Sequence, residues 1–159
     1  MEMCAVYSEA GTPTGRIVAR GTRLRQGEYY LVVHVWIKNE TGRYLVQKRA
    51  PNRESEPGIW ATTAGYVQAG EESVAGAIRE AGEELGITLS STQLRHFARL
   101  KTGNRVEDIW LAEVTNYAVG VPTIGPEVSD YKWVSKAELD SLANRGEFFA
   151  YSYLGILPG

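Results

Sequence analysis

Hydrophobic and polar positions change their period several times along this chain. Tyr29–Ile37 reads YYLVVHVWI, a nearly continuous apolar run rich in β-branched and aromatic residues, which predicts a buried strand. Asn39-Glu40-Thr41-Gly42 then reads as a turn into a second strand, Tyr44 to Arg49. Ala50 to Gly58 is a polar loop carrying Pro51 and Pro57, and a short strand is predicted from Trp60 to Val67. Between Glu72 and Gly86 the period becomes helical: Val74, Ile78, Ala81 and Leu85 form an apolar stripe that packs on a core. Leu94 to Leu100 and Val106 to Val114 alternate as a hairpin. A loop with Pro122 and Pro126 precedes a strand at Tyr131 to Val134. Ser135 caps a last helix, KAELDSLANRG, with Glu138 three residues on as in a capping box. Strands mixed with two helices predict a sheet covered by helices, an α/β (α+β) fold.

The predicted Glu72–Gly86 helix carries more than a packing stripe. Glu80, Glu83 and Glu84 stand at i, i+3 and i+4, side by side on one face. Like charges at that spacing cost a few tenths of a kcal/mol per pair, and a hard divalent cation, which favours oxygen ligands, turns that cost into binding. Arg79 stands beside the first of these carboxylates and also forms an i,i+4 pair with Glu83. Gly65 and Gly70 flank a loop ahead of the helix, and Gly86 caps its end. Gly82 inside the helix costs about 1 kcal/mol relative to alanine, which selection for stability alone would not choose.

Gly65 to Ile87, GYVQAGEESVAGAIREAGEELGI, resembles the Nudix box, G-x5-E-x7-R-E-U-x-E-E-x-G-U with U a bulky aliphatic residue. Every charged and glycine position fits, and Ile87 fits the last U. Ala81 at the first U is the one departure, at a packing position. The flanks from Tyr7 to Phe149, more loosely, are similar to Nudix proteins related to isopentenyl-diphosphate isomerase. The resemblance implies a Nudix α/β/α sandwich, a mixed sheet between helices, with the box as its loop-helix-loop.

The resemblance also implies a chemistry. Nudix enzymes use magnesium, with manganese as a substitute, and water attacks a diphosphate linked to a nucleoside or another group. Carried over residue by residue, Glu80, Glu83 and Glu84 hold the metal, and the backbone carbonyl of Ala64 completes its site. Arg79 orients the box carboxylates, and Glu71 pairs with Arg79 or braces the loop. The general base is either a box glutamate or a later carboxylate, of which Glu127 is the best placed, ahead of Asp130 and Glu107. For the phosphates, Gln47, Lys48 and Arg49 end a strand, and alternation sets Lys48 opposite the other two, so Arg49 and the loop residue Arg53 are the candidate cations. His34 and His96 fall on predicted strands and read as structural. Trp60 and Tyr66 either stack on a base or belong to the core.

Composition narrows the class further. At 159 residues the chain is expected to be one domain, with extension strands within residues 1–28 and the box at 65–87. Lysine plus arginine number 17 against 19 acidic residues, a formal charge of −2, which offers no broad basic surface for nucleic acid. Cys4 is the single cysteine, so no internal disulfide forms, in keeping with a reducing compartment. No apolar run approaches a membrane span and no signal pattern opens the chain, which reads as cytoplasmic, taking a small-molecule diphosphate. Dimers are frequent in the family. An isomerase of the related group needs a cysteine shortly before the helix, where this chain reads WATTAGYV. A non-catalytic nucleotide-binding module would have lost box carboxylates that this chain keeps.

Overall fold

The computed structural model describes residues 1–159. Strands β1 (Met3–Tyr7) and β2 (Pro13–Ala19) form a small antiparallel pair of their own. The main sheet has seven strands: β3 (Tyr30–Lys38), β4 (Tyr44–Arg49), β5 (Trp60–Ala61), β6 (Thr63–Tyr66), β7 (Leu94–Thr102), β8 (Arg105–Glu113) and β9 (Val128–Val134). Three α-helices, α1 (Ser73–Leu85), α2 (Asn116–Val119) and α3 (Lys136–Asn144), and two short 3-10 turns at Ser91–Gln93 and Leu154–Ile156 make up the rest of the regular structure. No helix is long and apolar enough to cross a membrane.

The sheet is mixed. Strand β3 runs parallel to β8 over its whole length, while β7 pairs antiparallel with β8 and β9 antiparallel with β4. Where β3 meets its other neighbours the sheet forks: Ile37 and Lys38 pair with β4, whereas Val32 to Val35 pair with β6. Alternation along β3 sends Val33, Val35 and Ile37 to one face, where Ala77, Ala81, Leu85 and Ile87 of the α1 region cover them. Trp36 goes to the other face and packs with Leu139 and Leu142 of α3 and with the C-terminal Phe148, Tyr153 and Leu157. The expected α/β/α sandwich is therefore present, with one core on each side of the sheet.

Local chemistry sets the ends of α1. Gly86 adopts a left-handed conformation (φ 64°), and the amides of Gly86 and Ile87 return to the carbonyls of Gly82 and Ala81, satisfying two of the last-turn acceptors. A side chain there would also press on Thr123. The α3 cap forms as expected: the Ser135 hydroxyl accepts the Glu138 amide. Some predicted elements need correction. The single strand from Trp60 to Val67 is two, interrupted at Thr62, whose hydroxyl donates to the Val35 carbonyl at 2.6 Å while the chain passes from β4 to β3. The strand predicted at Tyr131 begins earlier, at Val128, and α2 has no counterpart in the sequence reading.

Candidate active site

Arg79 is the hub of the acidic helix. It makes five hydrogen bonds: two to Glu71 (2.8 and 3.0 Å), and one each to Glu80 (2.9 Å), Glu83 (3.2 Å) and the Tyr66 carbonyl (2.9 Å). Every guanidinium nitrogen is used, which a planar fork with fixed donors permits. Glu71 also accepts the Gln68 amide, so of the two roles expected for it, pairing with Arg79 and bracing the loop, it plays both. These bonds outweigh its burial and hold its carboxyl below the usual range.

The three clustered carboxylates differ in environment. Glu83 is exposed apart from its contact with Arg79. Glu80 is buried and lies directly against the Gly65 backbone; a Cβ at Gly65 would overlap its carboxylate. Glu84 is also buried, accepting hydrogen bonds from the Gln47 side chain (3.0 Å) and the Ala64 amide (3.1 Å). Burial pushes the Glu80 carboxyl up to about 7 against the pull of Arg79. Burial, reinforced by the charge of Glu80, pushes Glu84 up to about 8. Two desolvated carboxylates of the same helix thus stand close together, Glu80 held by Arg79 and Glu84 by Gln47 and the Ala64 amide, although no three ligating side chains converge on a single point.

A cavity of about 800 Å³ opens beside this helix. Glu80, Glu83, Ala64 and Gly65 line one side, with Arg49, Arg53 and Glu127 at another. Glu84 lies outside the lining, held behind it by Gln47 and Ala64. The candidate phosphate cations and the candidate base meet at the rim: Arg53 pairs with Glu127 at 2.8 Å, and Arg49 donates to the Ser55 carbonyl at 3.0 Å. Asp130 is exposed and His96, paired with Asp108, stands elsewhere; neither lines the cavity. Tyr66 lines it with the Arg20 guanidinium over its ring, whereas Trp60 lies outside, under Lys132 and Lys48. Cys4 is buried among Val6, Val18 and Tyr30, so no cysteine reaches the cavity.

Several residues in and around the cavity were not anticipated. Gln47, buried behind the cavity on the same face of β4 as Arg49, bridges the fork in the sheet, donating to Glu84 and accepting from Thr63. His34, read as structural, faces the cavity. Its Nδ1 lies 2.6 Å from the Tyr153 hydroxyl, and burial, then the charge of Arg105, depresses it to about 3, so the ring is neutral. Glu2 and Arg20 arrive from the N-terminal strands, and Phe149, Tyr151 and Tyr153 from the C-terminal segment. Nothing in their local sequence distinguishes them; only the tertiary fold brings them here.

A two-sided sandwich whose arginine-braced glutamate helix borders a polar cavity of about 800 Å³ forms a site with room and charge for a small polar ligand. The chain belongs to the Nudix family: the NUDIX domain profile matches residues 28–154. It is 36% identical over 160 residues to an uncharacterised Nudix hydrolase of Listeria monocytogenes, a match covering 99% of this chain and 94% of that one. It is 30% identical to an isopentenyl-diphosphate Delta-isomerase of Paenarthrobacter aurescens, over 98% of this chain and 88% of the relative. Among solved structures, the Deinococcus radiodurans protein DR0079 superposes with a TM-score of 0.77 at 20% identity, covering 98% of this chain and 96% of its own. A bifunctional NMN adenylyltransferase/ADP ribose pyrophosphatase of Francisella tularensis, solved with AMP and a manganese ion, gives 0.61 at 18% identity over 80% of this chain and 40% of that one. Family and relatives make this protein a Nudix pyrophosphohydrolase acting on small molecules, in a family that generally uses divalent metals.

Proposed function

We propose that this protein hydrolyses a diphosphate bond with magnesium bound at Glu80 and Glu84, the substrate being a nucleoside diphosphate linked to another group. The observation that carries the reading is the pair of buried, same-helix carboxylates beside a polar cavity, of which only Glu80 is compensated by an arginine. All-oxygen donors of this kind fit a hard divalent cation, and manganese is the natural substitute. Glu80 and Glu84 are the proposed ligands, with the Ala64 carbonyl, and Glu83 joins them by turning from Arg79. The cation supplies charge neutralisation for the diphosphate oxygens. Arg49 and Arg53 draw the phosphates to the rim, where their charges add to that neutralisation.

In the proposed reaction a water oxygen bonds to phosphorus while the bridging P–O bond breaks, and the water's proton passes to a carboxylate. Glu127 is the proposed base, being the cavity carboxylate that Arg53 rather than Arg79 holds. Its pairing with Arg53 keeps the two groups at the same rim, so phosphate docking on Arg53 releases the carboxylate as it places the reacting bond.

The test is a panel of nucleoside triphosphates, nucleotide sugars and isoprenoid diphosphates assayed with magnesium, scoring phosphate released with and without alkaline phosphatase. Turnover of a panel member that Glu84→Gln abolishes supports the proposal. An isopentenyl diphosphate that isomerises without releasing phosphate would replace it with the chemistry of the isomerase relatives, against the absence of a cavity cysteine.

A further inference from the structure

At the cavity wall formed by β3 and β8, away from the Arg79 cluster, stands a carboxylate that the proposed reaction does not use. The Glu107 side chain is only 9% exposed and lines the cavity. The basic side chains within 4 Å of it are His34, with Nε2 at 3.4 Å, long for a hydrogen bond, and Arg105, with Nη2 at 3.9 Å, beyond one. It accepts no hydrogen bond from the protein, and its oxygens open on the cavity rather than being sealed from water, so the carboxylate stands free to take a donor from a bound molecule.

The imidazole beside it is held in one tautomer. Trp36 Nε1 donates to the Tyr153 hydroxyl at 3.0 Å, and that hydroxyl lies 2.6 Å from His34 Nδ1. His34 Nδ1 is the one acceptor within hydrogen-bond distance of that hydroxyl, and the Glu107 carboxylate beside Nε2 favours a proton on that nitrogen. Nδ1 therefore accepts, and Nε2 carries the ring proton. The wall thus displays an N–H donor and a carboxylate acceptor side by side, with Tyr151 and Thr102 also in the lining.

We infer that Glu107 and His34 form a recognition subsite for an uncharged group bearing adjacent hydrogen-bonding functions, the hydroxyls of a sugar or the edge of a nucleobase, and select against apolar tails. An ammonium group would engage only Glu107 and face Arg105; a second anion would meet the carboxylate. An isoprenoid chain would bury the carboxylate with no donor at all, and a site built for hydrogen bonds rejects such a ligand strongly. The identity of the ligand's other end, a metal-held diphosphate, rests on the function proposed above.

The test is calorimetric binding, with magnesium, of four probes: the α,β-methylene analogue of ADP, its 2′,3′-dideoxy form, its hypoxanthine counterpart, and the methylene analogue of isopentenyl diphosphate. The parent should bind at least about 10-fold more tightly than the isoprenoid probe, the worth of one charge-assisted hydrogen bond. Loss of affinity in the dideoxy probe assigns the contact to the sugar, and loss in the hypoxanthine probe to the base. Glu107→Leu should close the gap to the isoprenoid probe by a similar factor, and the isosteric Glu107→Gln should close it in part. Equal affinity of the wild type for parent and isoprenoid probes, an unchanged ratio in the variants, or binding of no probe overturns the subsite. Cleavage of the unmodified compounds is scored alongside. Selectivity without cleavage keeps the subsite and removes the hydrolase reading; cleavage without selectivity does the reverse.

Discussion

Replacing Arg79 by lysine tests whether this one residue organises the acidic helix. Arg79 is about four-fifths buried, and its main partners are as enclosed: Glu71 and Glu80 are 15% and 9% exposed. An ammonium has three donors on a point charge, so of the five bonds made now at least two are lost, including one arm of the fork on Glu71. A hydrogen bond to a charged group contributes about 1.5–3 kcal/mol, and lysine retains the net charge, so the loss comes to roughly 3 kcal/mol. For a chain of this size each kcal/mol moves Tm by about 2–4 °C, which gives a fall of about 6–12 °C. Thermal melts followed by circular dichroism, without added metal, read the shift directly. Glu71→Gln should reproduce part of it, and the double variant should lose less than the sum because the two residues share the same bonds. An Arg79→Lys protein melting within about 2 °C of the parent would refute the reasoning.

Other consequences follow from neighbouring features. Gly82→Ala should raise stability by about 1 kcal/mol in denaturant titration, because the position is exposed, has ordinary helical backbone, and its Cβ would meet nothing nearer than 3.9 Å; a loss would show a role for Gly82 beyond the helix. Gly65→Ala drives a Cβ into the flexible end of Glu80, so it should cost only about 1–2 kcal/mol of stability while lowering hydrolysis at least about tenfold. Equal activity would separate Glu80 from the reaction. Asp108 is fully buried and bonded to Ser73, His96 and Arg99. Burial raises its carboxyl, but those three partners together outweigh it and hold it low. A depressed carboxylate stabilises the fold above its unfolded value and loses that contribution as pH falls through the folded one. Asp108→Asn should therefore melt well below the parent at pH 7, and the difference should shrink as pH drops below about 4.

Periodicity carried the frame of this fold because each main strand buries a distinct face. The apolar run of β3 and the stripe of α1 were readable, and so was the left-handed stop at Gly86. The break at Thr62 was not, because it arises when the chain leaves one strand to pair with another, a choice made by tertiary contacts. The same distinction holds in the site. Arg79, Glu71 and the three helix glutamates lie within one short segment, and their spacing brings them together. Arg53 and Glu127 are far apart in sequence, and their pairing at the rim was not legible. His34 was read as structural from its place on a strand; it is buried and bonded to Tyr153, and alternation puts it on the Trp36 face of β3, where it also borders the cavity. The C-terminal aromatic residues Phe149, Tyr151 and Tyr153 carry no motif and enter only through packing.

The central claim is that buried carboxylates of α1 hold a divalent cation at the cavity. Crystals grown with manganese and measured at its absorption edge test that most directly. The account predicts one anomalous peak bonded to carboxylate oxygens of both Glu80 and Glu84, absent in Glu84→Gln. A peak at the Arg53–Glu127 rim alone, or none at the helix with manganese in excess, would contradict it.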